Sequence, residues 1–229
     1  MELKTAIVTG ASSGIGNAIS RMLAENGYKV YGIGRVFDET DTFFEERISM
    51  DIRDTAILLE RVSKIRPCHL LVNAAGSAYY GLAEFMTPDQ IMEMCRTDLE
   101  APMILTSALL PELKDTKGAV INIASVTSTR INTHGAVYGA LKAGLRSYSR
   151  SLYEEVRKTG VRVVTVCPDL TLGTKLYRNA DFTPSEEEGC YLVPEDVALC
   201  IKNIINMREG CAVTEVEVRP QFNRIAKKK

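Results

Sequence analysis

Tyr138 and Lys142 stand one helical turn apart in the run YGALK, near the start of a long helix-period stretch. An i,i+4 spacing places the phenol and the ammonium on one helix face. A cation beside a phenol favours phenolate, lowers the tyrosine pKa and allows proton exchange near neutral pH. The Y-x-x-x-K pattern alone is a weak signal and gains weight from its setting. Thirteen residues upstream, Ser125 follows the apolar run Val120–Ala124. In an open α/β sheet ligands bind beyond the carboxyl ends of strands, so Ser125 and the start of that helix face one crevice. Ser125 there can hydrogen-bond a carbonyl oxygen beside Tyr138; a loop cap is its other reading.

A second cluster lies near the N-terminus. Thr9-Gly10-Ala11-Ser12-Ser13-Gly14-Ile15-Gly16 follows a strand-like run and opens a helix-like one. Glycine permits a tight turn and close approach of a pyrophosphate, and a helix N-terminus offers unpaired N–H groups with partial positive charge. Ser12 and Ser13 add hydroxyl donors. The spacing is G-x-x-x-G-x-G, not the commoner G-x-G-x-x-G. At the end of the second strand, where NAD-binding folds commonly carry an acid for the ribose 2′-hydroxyl, this chain has Gly34-Arg35. A guanidinium binds a 2′-phosphate through paired hydrogen bonds, which favours NADP over NAD. A solvated surface arginine is the alternative, and Asp38 is the nearest acid that would blunt the preference.

The elements that must position these residues follow from periodicity. Strands are expected at Thr5–Thr9, Lys29–Ile33, Arg47–Met50, His69–Asn73, Ala119–Ala124, Val161–Val166 and Val213–Val218. Their nearly continuous apolar character marks strands covered on both faces. Helices are expected at Gly14–Asn26, Thr55–Ile65, Val137–Thr159 and Pro194–Met207, and Pro88–Leu110 holds two that break or bend near Pro102. The alternation predicts an α/β fold: a Rossmann-type, doubly wound, mostly parallel seven-stranded sheet with helices on both faces. Gly34–Glu46 reads as loop. Polar, acidic Tyr177–Cys190 reads as a flexible substrate loop, and residues 225–229 as a frayed tail. No linker or repeat divides residues 1–229, so one dinucleotide-binding domain is expected.

With these pieces in order, the chain resembles the single-domain short-chain dehydrogenase/reductase family, from Thr9 to about Val218. The matching strings are TGASSGIG at 9–16, Asp51 after the third strand, NAAG at 73–76, INIAS at 121–125 and YGALK at 138–142. The resemblance implies that Tyr138 is the general acid/base, that Lys142 binds the nicotinamide ribose and depresses the Tyr138 pKa, and that Ser125 orients the substrate. It implies Asp51 and Ile52 near the adenine, and Asn73, Ala74, Ala75, Gly76 and Pro168 along the cofactor. The activity implied is an NADP(H)-dependent interconversion of a small-molecule carbonyl and a secondary alcohol. Two departures stand out. Asp98 occupies the place of an Asn thought to hold a proton-relay water, and an ionised Asp can accept from water but not donate to it. Asp169 follows Pro168 where Gly is usual, bringing a negative charge toward the nicotinamide end. Both departures motivate an alternative, an NADP-binding regulator or scaffold with little turnover. Tyr79, Tyr80 and His134 are candidates for the pocket wall, with loop packing equally open, and Tyr177 is a candidate for the lid.

Composition bounds the rest. The chain has 229 residues, 45% of them hydrophobic and 25% charged, with 28 basic against 29 acidic side chains. That excludes wholesale disorder and gives no global electrostatic reason to bind nucleic acid or membrane. Cysteines at 68, 95, 167, 190, 200 and 211 form no C-x-x-C pair, and His69 and His134 are the only histidines. No metal site is expected, and the cysteines read as reduced, buried thiols. The N-terminal MELKTAIVTG lacks a signal-peptide core, so a cytoplasmic protein is expected. The apolar faces around Leu141, Leu145 and Leu152 suggest helix-to-helix assembly into a homodimer or homotetramer.

Overall fold

A computed structural model describes residues 3–180, 182–222 and 224–227. In chain order the elements are β1 (Lys4–Thr9), α1 (Gly14–Glu25), β2 (Tyr28–Gly34), β3 (Glu46–Ser49), α2 (Thr55–Val62), β4 (Leu70–Asn73), α3 (Pro88–Cys95), α4 (Ala101–Asp115), β5 (Ala119–Ile123), α5 (Ala136–Val156), β6 (Arg162–Pro168), β7 (Phe182–Pro184), α6 (Pro194–Ile205), β8 (Glu215–Val218) and β9 (Ile225–Lys227). Seven strands form one sheet in the order β3-β2-β1-β4-β5-β6-β8, and every neighbouring pair is parallel. This is the doubly wound sheet expected from sequence, with no antiparallel edge.

Side-chain alternation along each strand builds two cores. Ala6, Val8, Ile121 and Val164 meet Ile19, Leu23, Val197 and Ile201 of α1 and α6 on one face. Ile7, Leu71, Val120 and Val163 meet Leu58 of α2, Leu105 and Leu109 of α4, and Leu152 and Val156 of α5 on the other. Neither strand face is left polar, which is why these strands read as unbroken apolar runs. Leu141, Leu145 and Leu152 are themselves buried within the chain. The apolarity that suggested assembly is therefore absorbed by the fold's own packing.

The order in which strands are added to the sheet reverses beside β1, which lies between β2 and β4. The Thr9 hydroxyl accepts bonds from the backbone N–H groups of Ala74 and Ala75, each at 3.1 Å, and so ties the two strand ends together. A crevice at such a reversal is where doubly wound folds hold ligands.

The bend expected near Pro102 is a single widened turn over Arg96–Glu100, between α3 and α4. Its Ala101 N–H reaches back to the Arg96 carbonyl, five residues earlier. Proline has no N–H and its ring crowds the carbonyl four residues back, here that of Asp98, and a wider turn relieves this. Gly34–Glu46 carries no helix, as expected.

The 177–190 segment differs from the expected flexible loop. It begins in a 3-10 turn, Leu176–Asn179, and continues into β7, which pairs antiparallel with β9. Of the tail expected to fray, residues 225–227 form that partner strand, while Lys228 and Lys229 lie outside the described residues. Pro184 and Cys190 are buried and Ala180 almost fully so. The apolar positions interspersed among the acidic ones turn inward, and the strand pairing supplies backbone bonds that a free loop would lack. The cysteines are all free thiols, but Cys95, Cys200 and Cys211 are only half-buried, because they lie on helix or loop flanks instead of core positions. Among the described residues no helix is long and apolar enough to cross a membrane, and no three His, Cys, Asp or Glu side chains are placed to hold a metal ion.

Candidate active site

A cleft of about 570 Å³ runs along the carboxyl ends of the strands, from the β1–α1 turn to the start of α5. Of the residues singled out in the sequence, Gly10, Ser12, Ser13, Gly14, Ile15, Gly16, Arg35, Asp51, Ile52, Ala74, Ala75, Gly76, Ser125, Tyr138, Lys142 and Pro168 line it. Asn73 and Asp98 do not, and both are buried behind its wall.

The β1–α1 turn has the geometry of a cradle for an anionic group. A Cβ on Gly10 would lie 2.7 Å from the backbone of Ala75, and one on Gly16 would lie 2.3 Å from the Gly10 carbonyl oxygen. Gly10 also holds φ at 66°, in the left-handed region. Ser13, at the N-cap of α1, makes no side-chain capping bond, and the first turn contains no acidic residue. The helix thus presents its N-terminal N–H groups and partial positive charge to the cleft with no internal anion competing for them. These features fit a dinucleotide pyrophosphate.

At the far end of β2, Arg35 is exposed on the cleft wall and makes no ion pair among the described residues. Asp51 lies nearby. Arg53 bonds both its carboxylate oxygens, at 2.9 and 2.6 Å, and holds that carboxyl below its usual range, with Arg35 adding to the effect. Asp38 instead bonds the Thr40 N–H and hydroxyl at 2.9 and 2.7 Å. Arg53 was not foreseen; no motif marks it, and only the β3–α2 turn brings it to the wall.

Asn73, expected along the cofactor, is instead part of the frame. Its amide donates to the Thr106 hydroxyl at 3.2 Å and to the Asn122 carbonyl oxygen at 2.8 Å, and the Asn122 amide donates to Ser149 at 2.8 Å. At the last position of β4 its side chain turns toward α4 and α5, while the loop beyond it lines the cleft.

The other end of the cleft holds the proton-handling groups. Ser125 stands immediately beyond β5, and its hydroxyl accepts from the Thr127 N–H at 3.2 Å, so it is a cap that also lines the cleft. Tyr138, in the first turn of α5, is 3% exposed. Its ring packs beside Tyr80 (centroids 5.8 Å apart), and Tyr80 in turn meets Tyr177 at 6.3 Å and Phe182 at 5.0 Å. Phe182 and Leu176 belong to the wall too, although their sequence context is that of the polar loop. Tyr79 turns aside and donates to Glu93 at 2.9 Å. His134 lines the cleft just before α5.

The resemblance implies that Lys142 lowers the Tyr138 pKa; in this arrangement the largest influences run the other way. Burial, then Tyr80, Asp98 and Tyr177, push the phenol well above its ordinary value, and a hydrogen bond with Ser125 opposes them. Lys142 itself is paired. Its Nζ lies 3.0 Å from the Asp98 carboxylate and 3.0 Å from the Ile123 carbonyl oxygen, and Asp98 is fully buried. Burial pushes the Asp98 carboxyl up, and Lys142 and the Ser77 N–H pull it back.

Asp169 does not present the free negative charge expected of it. Arg219, just beyond β8, pairs with one oxygen at 3.0 Å, and the other accepts from the Leu170 N–H at 2.9 Å.

The arrangement is thus a phosphate cradle at one end of a cleft and a Ser–Tyr–Lys group at the other, on a doubly wound sheet. Comparison with known proteins agrees with it. Residues 4–183 match the family model described as short chain dehydrogenase. An acetoacetyl-CoA reductase of Paracoccus denitrificans is 30% identical over 86% of this chain and 88% of its own. An NADP-dependent 3-hydroxy acid dehydrogenase of Salmonella typhi is 29% identical, over 93% and 94%. Among solved structures, the closed form of a serine dehydrogenase complexed with NADP+ superposes with a TM-score of 0.83 at 27% identity, covering 94% of each chain. An alcohol dehydrogenase from Thermococcus sibiricus, complexed with 5-hydroxy-NADP, reaches 0.86 at 24% identity over 97% and 99%, a likeness of fold. Sequence, sheet order and cleft lead to one conclusion: the chain belongs to the short-chain dehydrogenase/reductase family of oxidoreductases.

Proposed function

We propose that this protein is an NADP(H)-dependent oxidoreductase that interconverts a carbonyl and a secondary alcohol, with Tyr138 as general acid/base. The observation that carries the reading is the single cleft joining the uncapped N-terminus of α1 to the Ser125–Tyr138–Lys142 group. Gly10–Gly16 would hold the pyrophosphate, Arg35 a ribose 2′-phosphate, and Lys142 the nicotinamide ribose. The bound nicotinamide supplies or accepts the hydride. Ser125 donates to the carbonyl oxygen and fixes its position, and Tyr138 gives that oxygen its proton. The aromatic wall of Tyr80, Tyr177 and Phe182 excludes water from this end, which strengthens each polar contact. Relatives named for NADP support the choice of cofactor.

The Asp98–Lys142 pair favours a second reading, a nucleotide-binding regulator with little turnover. Kinetics on a panel of aldehydes and ketones, with NADPH titration alongside, separates the two. For the enzyme, Tyr138→Phe loses about 10²–10⁴-fold in turnover and keeps NADPH affinity. Tight NADPH binding with no turnover on any panel member would establish the regulator instead.

A further inference from the structure

We infer that Asp98, by holding the Lys142 ammonium in a closed ion pair, is a positioning residue that keeps Tyr138 proton-bearing and so commits the site at neutral pH to giving a proton to a carbonyl oxygen. The inference rests on the proposed role of Tyr138 and adds to it the residue that sets its working pH.

The geometry is specific to this chain. Asp98 sits in the widened turn that Pro102 imposes, with one carboxylate oxygen accepting from the Ser77 N–H at 3.0 Å and the other 3.0 Å from Lys142 Nζ. Both side chains are buried, to 0% and 4% exposure. The loop after β4 passes close to the pair, where a Cβ on Gly76 would lie 3.3 Å from Asp98 Oδ1 and 3.8 Å from Lys142 Nζ, while Lys142 still lines the cleft. A buried ammonium so compensated exerts little net field on a neighbour. Lys142 Nζ lies 5.6 Å from the centre of the Tyr138 ring, close enough for its charge to matter if it were uncompensated.

Most of the groups that face the phenol work in the same sense. Burial first, then Tyr80 from the loop after β4, Asp98 between α3 and α4 and Tyr177 from the 176–179 turn disfavour phenolate, and a hydrogen bond with Ser125 opposes them. Asp98 is faced by Lys142 from α5, by Ser77, and by Glu93 of α3, which bonds the Ser77 hydroxyl at 3.0 Å and lies 3.8 Å from Arg53. An asparagine at 98 keeps the size and an acceptor but removes the charge, leaving the ammonium free to favour phenolate.

The test compares pH profiles of both reaction directions for the wild type and Asp98→Asn, with folding checked by circular dichroism. Reduction requires the phenol and falls as pH rises; oxidation requires phenolate and rises. The wild-type limbs are expected on the alkaline side of 10, the ordinary tyrosine value. Asp98→Asn should move both limbs down together by about one pH unit or more, about tenfold in oxidation rate at a fixed pH on the limb. Loss of amplitude with no displacement of the limbs would show a merely structural residue and overturn the inference. A wild-type limb near neutrality would overturn it without any variant. The chain has no Trp, so tyrosinate absorbance, with Tyr138→Phe as the subtraction, follows the phenol directly. That titration needs no turnover. A displaced phenol titration with no carbonyl reduced would therefore sustain the clamp and sink the oxidoreductase reading, and the reverse result would do the opposite.

Discussion

Replacing Arg35 by Ala tests the cofactor assignment most directly. The guanidinium is exposed, lines the cleft and makes no ion pair among the described residues, so removal breaks no ion pair and gives up only its field on the Asp51 carboxyl. Arg53 is committed to Asp51 and lies near Glu93, and Asp38 is turned onto Thr40; neither is placed to substitute for it or oppose it. A charge-assisted hydrogen bond contributes about 1.5–3 kcal/mol. Screening at an exposed site trims this to roughly 1.4–2 kcal/mol, about 10–30-fold in Kd. NADH, with a plain 2′-hydroxyl, should lose less than about twofold. Fluorescence titration of NADPH and NADH against both proteins measures this, and raising the salt concentration should weaken wild-type NADPH binding more than NADH binding. Equal losses for both cofactors, or none for either, would refute the 2′-phosphate role of Arg35.

Two further outcomes probe the scaffold. Gly16→Ala should lower stability by about 1–3 kcal/mol and weaken NADPH binding at least tenfold, because its Cβ would meet the Gly10 carbonyl oxygen at 2.3 Å; an unchanged thermal midpoint and affinity would mean that the turn deforms freely. Glu215 in β8 accepts from Arg146 at 2.9 Å and Arg150 at 3.1 Å, and these, Arg146 foremost, hold its carboxyl below the ordinary value. A depressed carboxylate contributes stability above its unfolded pKa and loses it as pH falls through the folded one. Glu215→Gln should therefore cost about 1–2 kcal/mol at neutral pH, discounted for partial exposure. The difference should vanish once pH drops below the folded value. Urea midpoints measured from neutral to acid pH check this, and a constant gap across that range would contradict the pairing.

Much of this molecule is legible without coordinates, and the reason is local. Strands covered on both faces must be apolar at consecutive positions, so Ala6-Ile7-Val8 and Val163-Val164 announce a parallel sheet by themselves. Gly16 is required by the Gly10 carbonyl oxygen within the β1–α1 turn, so that part of the cradle is written in eight residues, whereas Gly10 answers to the Ala75 backbone on the neighbouring loop. Tyr138 and Lys142 share a helix face by spacing alone. Which partner each charge finds is another matter. Asp98 meets Lys142 across 44 positions of chain, Arg219 quiets Asp169 across 50, and residues 225–227 turn the 177–190 segment from a free loop into a paired strand. Asn73, placed on the cofactor by its motif, is instead claimed by Thr106 and Asn122. The sequence determined the elements, the cradle and the proton-handling pair, because those depend on neighbours along the chain. The tertiary structure alone decided the state of the charges, because electrostatic energy depends on distance in space and on burial, and neither is encoded in spacing.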